Sequence, residues 1–207
     1  MSPAPKCEAH IHTLKALNLF NLGEAQGHRG VAAEDGNHHD NLLGLALDLR
    51  NGSVHALEST GLHADFFVAL PDEEGRILGP AGDGRVVVVA REDAGRVAAG
   101  VLTDPARYEN QTLDVTGPEA LTLDEIAAIL TRVQGRPVTY VRETIEEAYE
   151  SRKKWPAAQW QYDSWVSTYT SIARREMDVV STTVRDVTGR DPLTFEEVAR
   201  AALTSGR

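Results

Sequence analysis

The 207-residue chain is poor in several residue types, and each scarcity excludes a class of protein. Its single cysteine, Cys7, rules out an internal disulfide bond and a cysteine-rich zinc site. Lys and Arg number 21 against 31 Asp and Glu, and the net charge of −10 argues against a broad nucleic-acid-binding surface. An apolar run such as 86–90 is far too short to span a membrane, and no apolar signal core follows Met1. These scarcities predict a soluble, cytoplasmic protein.

Histidine is also absent from most of the chain. All seven histidines lie within the first 63 residues, although the overall composition, 42% hydrophobic and 25% charged, is that of an ordinary globular protein. The two parts also differ in their patterning, which predicts a boundary between a segment 1–63 and a region 64–207. The spacings of His10 with His12 and of His38 with His39 match no zinc motif, so no metal site is predicted.

The region from about residue 76 alternates strand and helix patterns. A β-branched run at 86–89 predicts a strand buried on both faces, and Asp104-Pro105 ends the helix that follows it. A second strand is predicted at 111–116. Thr122 and Glu125 form a capping box that opens the next helix. Strand, helix and strand in this order indicate an α/β fold.

The remainder is predicted to be mainly helical. One helix is expected at about 144–152, another at 181–188, and a second capping box at Thr194 begins a terminal helix. Between them an aromatic and apolar stripe recurs at helical spacing: Tyr162, Trp165, Val166, Tyr169, Ile172 and Ala173. A stripe of this kind is more often core packing than a ligand platform, and we interpret it as core.

Five strings of this region occur in an order and at spacings that are typical of one family. They are Gly79-Pro80-Ala81-Gly82-Asp83-Gly84-Arg85, Ala90-Arg91-Glu92-Asp93, the stretch 113–122, the stretch 135–140 and the stretch 165–170. Together they resemble the C-terminal portion of NmrA-like, atypical short-chain dehydrogenase/reductase proteins, in particular the NAD(P)H quinone-reductase-like group. The resemblance runs from about residue 62 to the end of the chain.

The resemblance implies a Rossmann domain that binds NADP(H), with a C-terminal region that covers a substrate cleft. A six-stranded Rossmann sheet needs roughly 120–150 residues before the matched part, and only about 60 precede it here. We therefore expect an incomplete or degenerate Rossmann-like parallel sheet with a mainly helical C-terminal region. A deletion, a truncated gene product and a damaged reading frame each fit this pattern. Without its sheet partners, the strand at 86–89 is expected to leave an exposed hydrophobic edge.

The resemblance also suggests where the cofactor binds. Gly27 and Gly30 occupy the second and third glycine positions of the family's Gly-x-x-Gly-x-x-Gly loop, while Glu24 stands at the first. Arg50 ends a possible second strand, where the family often contacts the adenosine 2′-phosphate. The alternative is that Gly27 and Gly30 belong to a glycine- and histidine-rich surface segment without cofactor contacts.

His63-Ala64-Asp65-Phe66 is similar to a family segment near the cleft. His63, whose unperturbed pKa is near 6.5, is the candidate catalytic residue as a proton relay, against the alternative of a non-catalytic histidine. The residues predicted to line the substrate cleft are Asp65, Phe66, Gly79 and Pro80. Tyr149 and Lys153 have the spacing of a short-chain dehydrogenase pair, but they lie in a late helical region, and we interpret the pair as chance.

The function implied by the resemblance is hydride transfer from NADPH to a quinone-like acceptor, achieved mostly by positioning the two substrates. The alternative is a non-catalytic remnant of the family that senses a cofactor or binds another protein. Glu24 and the short N-terminal segment favour this alternative. The expected partners are a quinone-like small molecule and either a protein or a second copy of the chain, with no nucleic acid and no membrane.

Overall fold

The computed structural model describes residues 47–50, 53–57, 62–109 and 111–205, with side chains described for 62–109 and 111–204. Its strands are β1 (Leu47–Arg50), β2 (Ser53–Leu57), β3 (Leu62–His63), β4 (Arg76–Gly79), β5 (Arg85–Val89), β6 (Ala120–Thr122) and β7 (Thr139–Arg142). Its helices are α1 (Ala64–Ala69), α2 (Arg91–Thr103), α3 (Leu123–Gln134), α4 (Ile145–Arg152), α5 (Gln159–Ala173), α6 (Thr183–Thr188) and α7 (Phe195–Ser205), with a 3₁₀ helix at Pro105–Tyr108.

Three small sheets connect these strands. In the largest, β5 pairs in parallel with β3 and antiparallel with β6. Strands β4 and β7 form a parallel pair, and β1 and β2 form an antiparallel hairpin. The α/β class with partial, Rossmann-like parallel pairing is thereby confirmed. The possible second strand ending at Arg50 is confirmed as β1, and it pairs antiparallel with β2, with Arg50 opposite Ser53.

Strand β5 lies between two hydrophobic clusters because successive side chains of a strand point to opposite faces. Val86 and Val88 pack into the larger cluster, which includes residues of α1, α3, α5 and α7, and Val89 packs into the smaller one with residues of α2. The valines at 86–89 are all buried. The expected exposed edge is therefore wrong: β3 and β6 cover the strand, and the carbonyl of Met177 accepts the N–H of Val87 at 2.8 Å.

Helix α3 begins and ends where its sequence predicts. The N–H of Glu125 donates to Oγ1 of Thr122 at 3.1 Å, and the N–H of Thr122 donates to the Glu125 carboxylate at 2.8 Å, so the capping box is complete. Gly135 ends the helix in the left-handed conformation, with φ of +68°. The helix predicted at 144–152 and the terminal helix opened by Thr194 are confirmed as well.

The aromatic stripe of α5 packs as expected. Val166, Tyr169 and Ile172 are buried along one face of the helix. Trp165 contacts the rings of Trp155 and Tyr162 edge to face, with centroids 6.3 and 5.5 Å apart. The interpretation of the stripe as core is confirmed for its buried members.

The strand predicted at 111–116 is wrong, since the structure assigns no strand there. The segment is instead linked to a later one by side-chain hydrogen bonds. Oγ1 of Thr116 accepts the N–H of Ser181 at 2.8 Å, and the Ser181 hydroxyl donates to the carbonyl of Asp114. A β-branched, alternating pattern measures how well side chains suit a sheet, but it does not supply the neighbouring strand.

Candidate functional site

The parallel pair of β3 and β5 defines one edge of the molecule. His63 lies opposite Val89 in the register, so the two strands end side by side. Helix α1 follows His63 directly, and helix α2 begins at Arg91, two residues after Val89. In open α/β sheets, ligands bind outside the carboxyl ends of the parallel strands. We call His63, Asp65 and Arg91 at this edge the carboxyl-end cluster.

His63 is half-buried, and one of its ring nitrogens has no partner. Nδ1 is buried without a hydrogen bond among the described residues. Burial lowers the pKa of His63 below its ordinary value, the positive charge of Arg91 lowers it further, and the negative charge of Asp65 partly opposes the shift. The imidazole is therefore neutral near pH 7, and a neutral imidazole can donate through one nitrogen and accept through the other.

Asp65 and Arg91 form an exposed ion pair beside His63. The Oδ2 atom of Asp65 lies 3.2 Å from Nε of Arg91, and the side chains are 43% and 62% exposed. Because both groups face solvent, the pair contributes little to stability. Phe66 lies next to Asp65 in α1, where it is partly buried and meets Phe67 edge to face with centroids 5.3 Å apart.

Gly79 lies in a closely packed position. Its carbonyl accepts the Tyr140 hydroxyl at 2.7 Å and the N–H of Glu143 at 3.2 Å. A Cβ at Gly79 would lie 2.3 Å from the ring of Tyr169. Pro80, the next residue, is half-buried in the connection to β5. We call residues 79–84 the β4–β5 connection.

The four residues predicted to line a substrate cleft are distributed over both ends of β5. Asp65 and Phe66 follow His63, which is level with Val89 at the end of the strand. Gly79 and Pro80 precede its first residue, Arg85. The four residue steps from 85 to 89 correspond to about 13 Å of extended chain. The structure thus brings Asp65 next to the His63 edge and does not bring Gly79 there, and a single cleft formed by all four stays a prediction.

A buried ion pair near the β4–β5 connection has no counterpart in the sequence-based predictions. The guanidinium of Arg152 lies 3.1 Å from the carboxylate of Glu143, and each side chain is only 7% exposed. Arg152 also donates to the carbonyl of Leu78 at 3.2 Å and lies over the ring of Tyr169 at 5.0 Å. Burial raises the pKa of Tyr169 to about 12, so its phenol stays protonated. No local spacing links residues nine apart in this way, so the sequence offered no signal for this pair.

Tyr149 and Lys153 do not have the geometry of a catalytic pair. The Tyr149 hydroxyl donates to Asp163 at 2.9 Å, and this bond raises the pKa of the phenol. A tyrosine that polarises a carbonyl needs its phenolate stabilised, which is the opposite effect. The ammonium of Lys153 pairs with Glu150. These contacts favour chance as the origin of the spacing.

The structure describes only part of the predicted cofactor site. Gly27 and Gly30 lie outside the described residues, and Arg50 is described only as the last backbone position of β1. Their roles stay predictions. Among the described side chains, no group of three or more His, Cys, Asp or Glu could hold a metal ion. No helix in the described part of the chain has the length and apolar character needed to cross a membrane.

Comparison with known proteins identifies relatives that this chain resembles. NAD(P)H azoreductase of Xenophilus azovorans is 37% identical over 129 residues, which cover 62% of this chain and 45% of the relative. Quinone oxidoreductase 2 of Escherichia coli is 31% identical over 135 residues, which cover 59% of this chain and 47% of the relative. The chain spans about half the length of the curated relatives it matches. No protein-family profile matches it.

Solved structures agree with these relatives. The Citrobacter sp. triphenylmethane reductase complexed with NADP(H) aligns with a TM-score of 0.61 at 27% identity, over 70% of this chain and 51% of that protein. The NADPH complex of an Escherichia coli quinone oxidoreductase aligns with a TM-score of 0.64 at 23% identity, over 70% and 52% of the two chains, which shows a shared fold. These relatives and structures confirm that, from about residue 62 onward, the chain is similar to NmrA-like, quinone-oxidoreductase-type proteins of the NAD(P)-binding atypical short-chain dehydrogenase/reductase family.

Proposed function

We propose that this protein transfers hydride from NADPH to a quinone-like acceptor at the carboxyl-end cluster. The observation that carries the proposal is the position of His63, with an unbonded buried nitrogen, at the carboxyl ends of two parallel strands. Open α/β sheets bind their ligands at such an edge. Relatives named as NAD(P)H azoreductase and quinone oxidoreductase support the class of reaction.

The described residues suit the reacting end of a dinucleotide and an acceptor. The carboxyl-end cluster offers an uncharged imidazole and one guanidinium, but no glycine-rich cradle for phosphates. That cradle is proposed at Gly27 and Gly30, with Arg50 at the 2′-phosphate. Bound NADPH supplies the hydride and becomes NADP⁺. Reduction of a quinone to a hydroquinone takes up one hydride and one proton, so a residue of the site must supply the proton.

His63 is the residue proposed to handle that proton. Its pKa is lowered by burial and by Arg91, so near pH 7 the ring is neutral; we propose that it gives one N–H proton to the reduced acceptor and recovers a proton from solvent afterwards. Asp65 and Phe66 are proposed to border the acceptor. Gly79 and Pro80 lie at the other end of β5, and their proposed role in lining the cleft rests on the family resemblance alone.

A second candidate is a non-catalytic protein that senses the cofactor or binds a protein partner. Glu24 favours this alternative, because a carboxylate in place of the first fingerprint glycine adds negative charge near the pyrophosphate. A protein partner or a homo-oligomer remains a further prediction, and a cytoplasmic location remains a prediction from the composition of the sequence.

The test begins with titration of the purified chain with NADPH, followed by calorimetry and nicotinamide fluorescence. We expect saturable binding, and then oxidation of NADPH when menadione, an uncharged naphthoquinone, is added. Failure to bind NADPH up to millimolar concentration would exclude catalysis by this polypeptide. Binding without turnover would support the cofactor-sensing alternative.

A His63→Gln variant separates proton handling from cofactor binding. Glutamine keeps a polar side chain of similar length but cannot relay a proton. We expect it to lower the turnover rate by about 10²-fold while the NADPH dissociation constant changes little. An unchanged turnover rate would assign His63 to packing.

A further inference from the structure

The Arg91 guanidinium retains donors that no described residue accepts. Its ion pair with Asp65 has Nε as the contacting atom, at 3.2 Å, and its terminal Nη groups donate no hydrogen bond to any residue in the described part of the chain. A guanidinium carries five N–H donors in a rigid fork that matches a carboxylate or a sulfonate in two parallel hydrogen bonds. With 62% of the side chain exposed, that fork is accessible to a ligand.

The acidic residues that follow Arg91 are engaged elsewhere. Glu92 pairs with Arg96, and the buried carboxylate of Asp93 is bonded both to Arg96 at 2.9 Å and to the N–H of Leu193 at 2.7 Å. Asp65 is therefore the carboxylate in contact with Arg91 among the described residues. The Nη groups of Arg91 are therefore available to bind an external anion.

The electrostatic balance beside Arg91 points the same way. At His63, the positive charge of Arg91 has a larger effect than the negative charge of Asp65. Of the two charges, the guanidinium is therefore the one that acts more strongly at the imidazole. An anionic group on an acceptor that lies over His63 would be attracted there, and a neutral acceptor would not be.

We propose that Arg91 binds an anionic substituent of the acceptor, so that the site selects quinone-like aromatic molecules that carry a carboxylate or a sulfonate. This inference rests on the proposed function and adds the charge of the substrate to it. The proposed function predicts that Gly27, Gly30 and Arg50 bind the phosphates of NADP(H), and under that proposal Arg91 is available for the acceptor. Asp65 is a positioning residue that holds the guanidinium through Nε.

The experiment compares a sulfonated naphthoquinone with menadione. Dissociation constants are measured for both by calorimetry on the full chain with NADP⁺ present, so that no turnover occurs. We expect the sulfonated compound to bind the wild-type protein more tightly and to lose about tenfold in affinity in Arg91→Gln. The dissociation constant of menadione should change less than about twofold in Arg91→Gln. Arg91→Lys keeps the charge but not the fork, so its affinity for the sulfonated compound should lie between those of the wild type and Arg91→Gln.

Arg85→Gln is the matched control. It removes the same charge from the opposite end of β5, where Arg85 pairs with Glu125 at 3.0 Å. We expect this variant to bind both naphthoquinones as the wild type does. Raised ionic strength should weaken binding of the sulfonated compound to the wild type and leave menadione unaffected.

Five outcomes overturn the inference. Equal losses for both naphthoquinones would make Arg91 a structural residue, and an equal effect of Arg85→Gln would reduce it to a general charge effect. Weaker NADPH binding in Arg91→Gln, with acceptor preference intact, would assign the guanidinium to a cofactor phosphate. If menadione is bound and reduced but the sulfonated compound has no advantage, the inference fails while the proposed function stands. Failure of NADPH and both naphthoquinones to bind would overturn both.

Discussion

The two ends of strand β5 differ in how their polar groups are used. At its start, the β4–β5 connection is held on several sides: the hydroxyl of Tyr140 bridges the carbonyl of Gly79 and the N–H of Ala81, at 2.7 and 2.9 Å. Arg142 pairs with Asp83 of the same connection at 2.6 Å. At the other end, the carboxyl-end cluster has a histidine nitrogen and guanidinium donors that form no hydrogen bond with the part of the chain that the structure describes.

This difference separates residues that hold the fold from residues that are available for a ligand. Buried polar groups that are fully hydrogen-bonded fix one arrangement, and removing a partner is costly. An exposed ion pair such as that of Asp65 and Arg91 contributes little to stability, and its unused donors can bind an incoming molecule. The four predictions below test this division, from the largest expected effect to the smallest.

Breaking the buried Arg152–Glu143 pair should have the largest effect on stability. Arg152→Met leaves the carboxylate of Glu143 buried without its partner, and we expect the free energy of unfolding to fall by about 3–5 kcal/mol. Chemical denaturation measures the loss. The double variant Arg152→Met/Glu143→Leu should recover part of it, because no unpaired charge remains. A loss below about 1 kcal/mol in the single variant would contradict the role given to the pair.

Gly84→Ala should destabilise the start of β5 by close contact. A Cβ at this position would lie 2.0 Å from the carbonyl oxygen of Ile172, which is backbone and cannot turn away. We expect a loss of about 2 kcal/mol. Gly95→Ala is the control, since Gly95 lies within α2 with open space around it and should gain about 0.5–1 kcal/mol. Similar results for the two variants would show that the connection is not tightly packed.

Arg91→Gln should leave stability nearly unchanged. Its ion pair with Asp65 is exposed, and such pairs contribute about 0–1 kcal/mol. The free energies of unfolding of Arg91→Gln and Arg152→Met, measured by the same denaturation, therefore compare the two ends of the strand directly. A loss of more than about 2 kcal/mol would place Arg91 among the structural residues and weaken the division.

His63 should give stability a small pH dependence of a defined sign. Its pKa in the folded protein is below the ordinary value, so the unfolded chain binds a proton more readily. The contribution is complete above the unfolded pKa of about 6.5 and is lost as the pH falls below it towards the folded pKa. The difference between wild type and His63→Gln isolates this contribution, because the other six histidines are common to both proteins. A difference that does not vary with pH would contradict the shift.

Local signals in the sequence predicted the helices well. The capping boxes at Thr122 and Thr194 and the left-handed glycine at 135 act within a few residues, so they can be recognised without knowledge of the fold. The strand at 111–116 was wrong because a strand also depends on a neighbour that the local pattern does not specify.

The candidate site could be predicted only in part for the same reason. His63 was singled out by its place in a family segment, but its neighbour Arg91 is 28 positions further along the chain and reaches it through the register of β3 against β5. The buried partnership of Glu143 and Arg152 likewise follows from packing beside β4 and α5. The similarity of the predicted cleft residues to one family segment did not reveal that β5 separates them.

The most direct test of the division is a nuclear magnetic resonance titration of the isotope-labelled, 207-residue chain. Backbone resonances are followed as NADP⁺ and then the sulfonated naphthoquinone are added. We expect the acceptor to shift resonances at 62–66 and 89–93, at the carboxyl ends of β3 and β5, and to leave those at 79–84 unchanged. Shifts confined to the β4–β5 connection, with His63 and Arg91 unaffected, would contradict the assignment of the site to the carboxyl-end cluster.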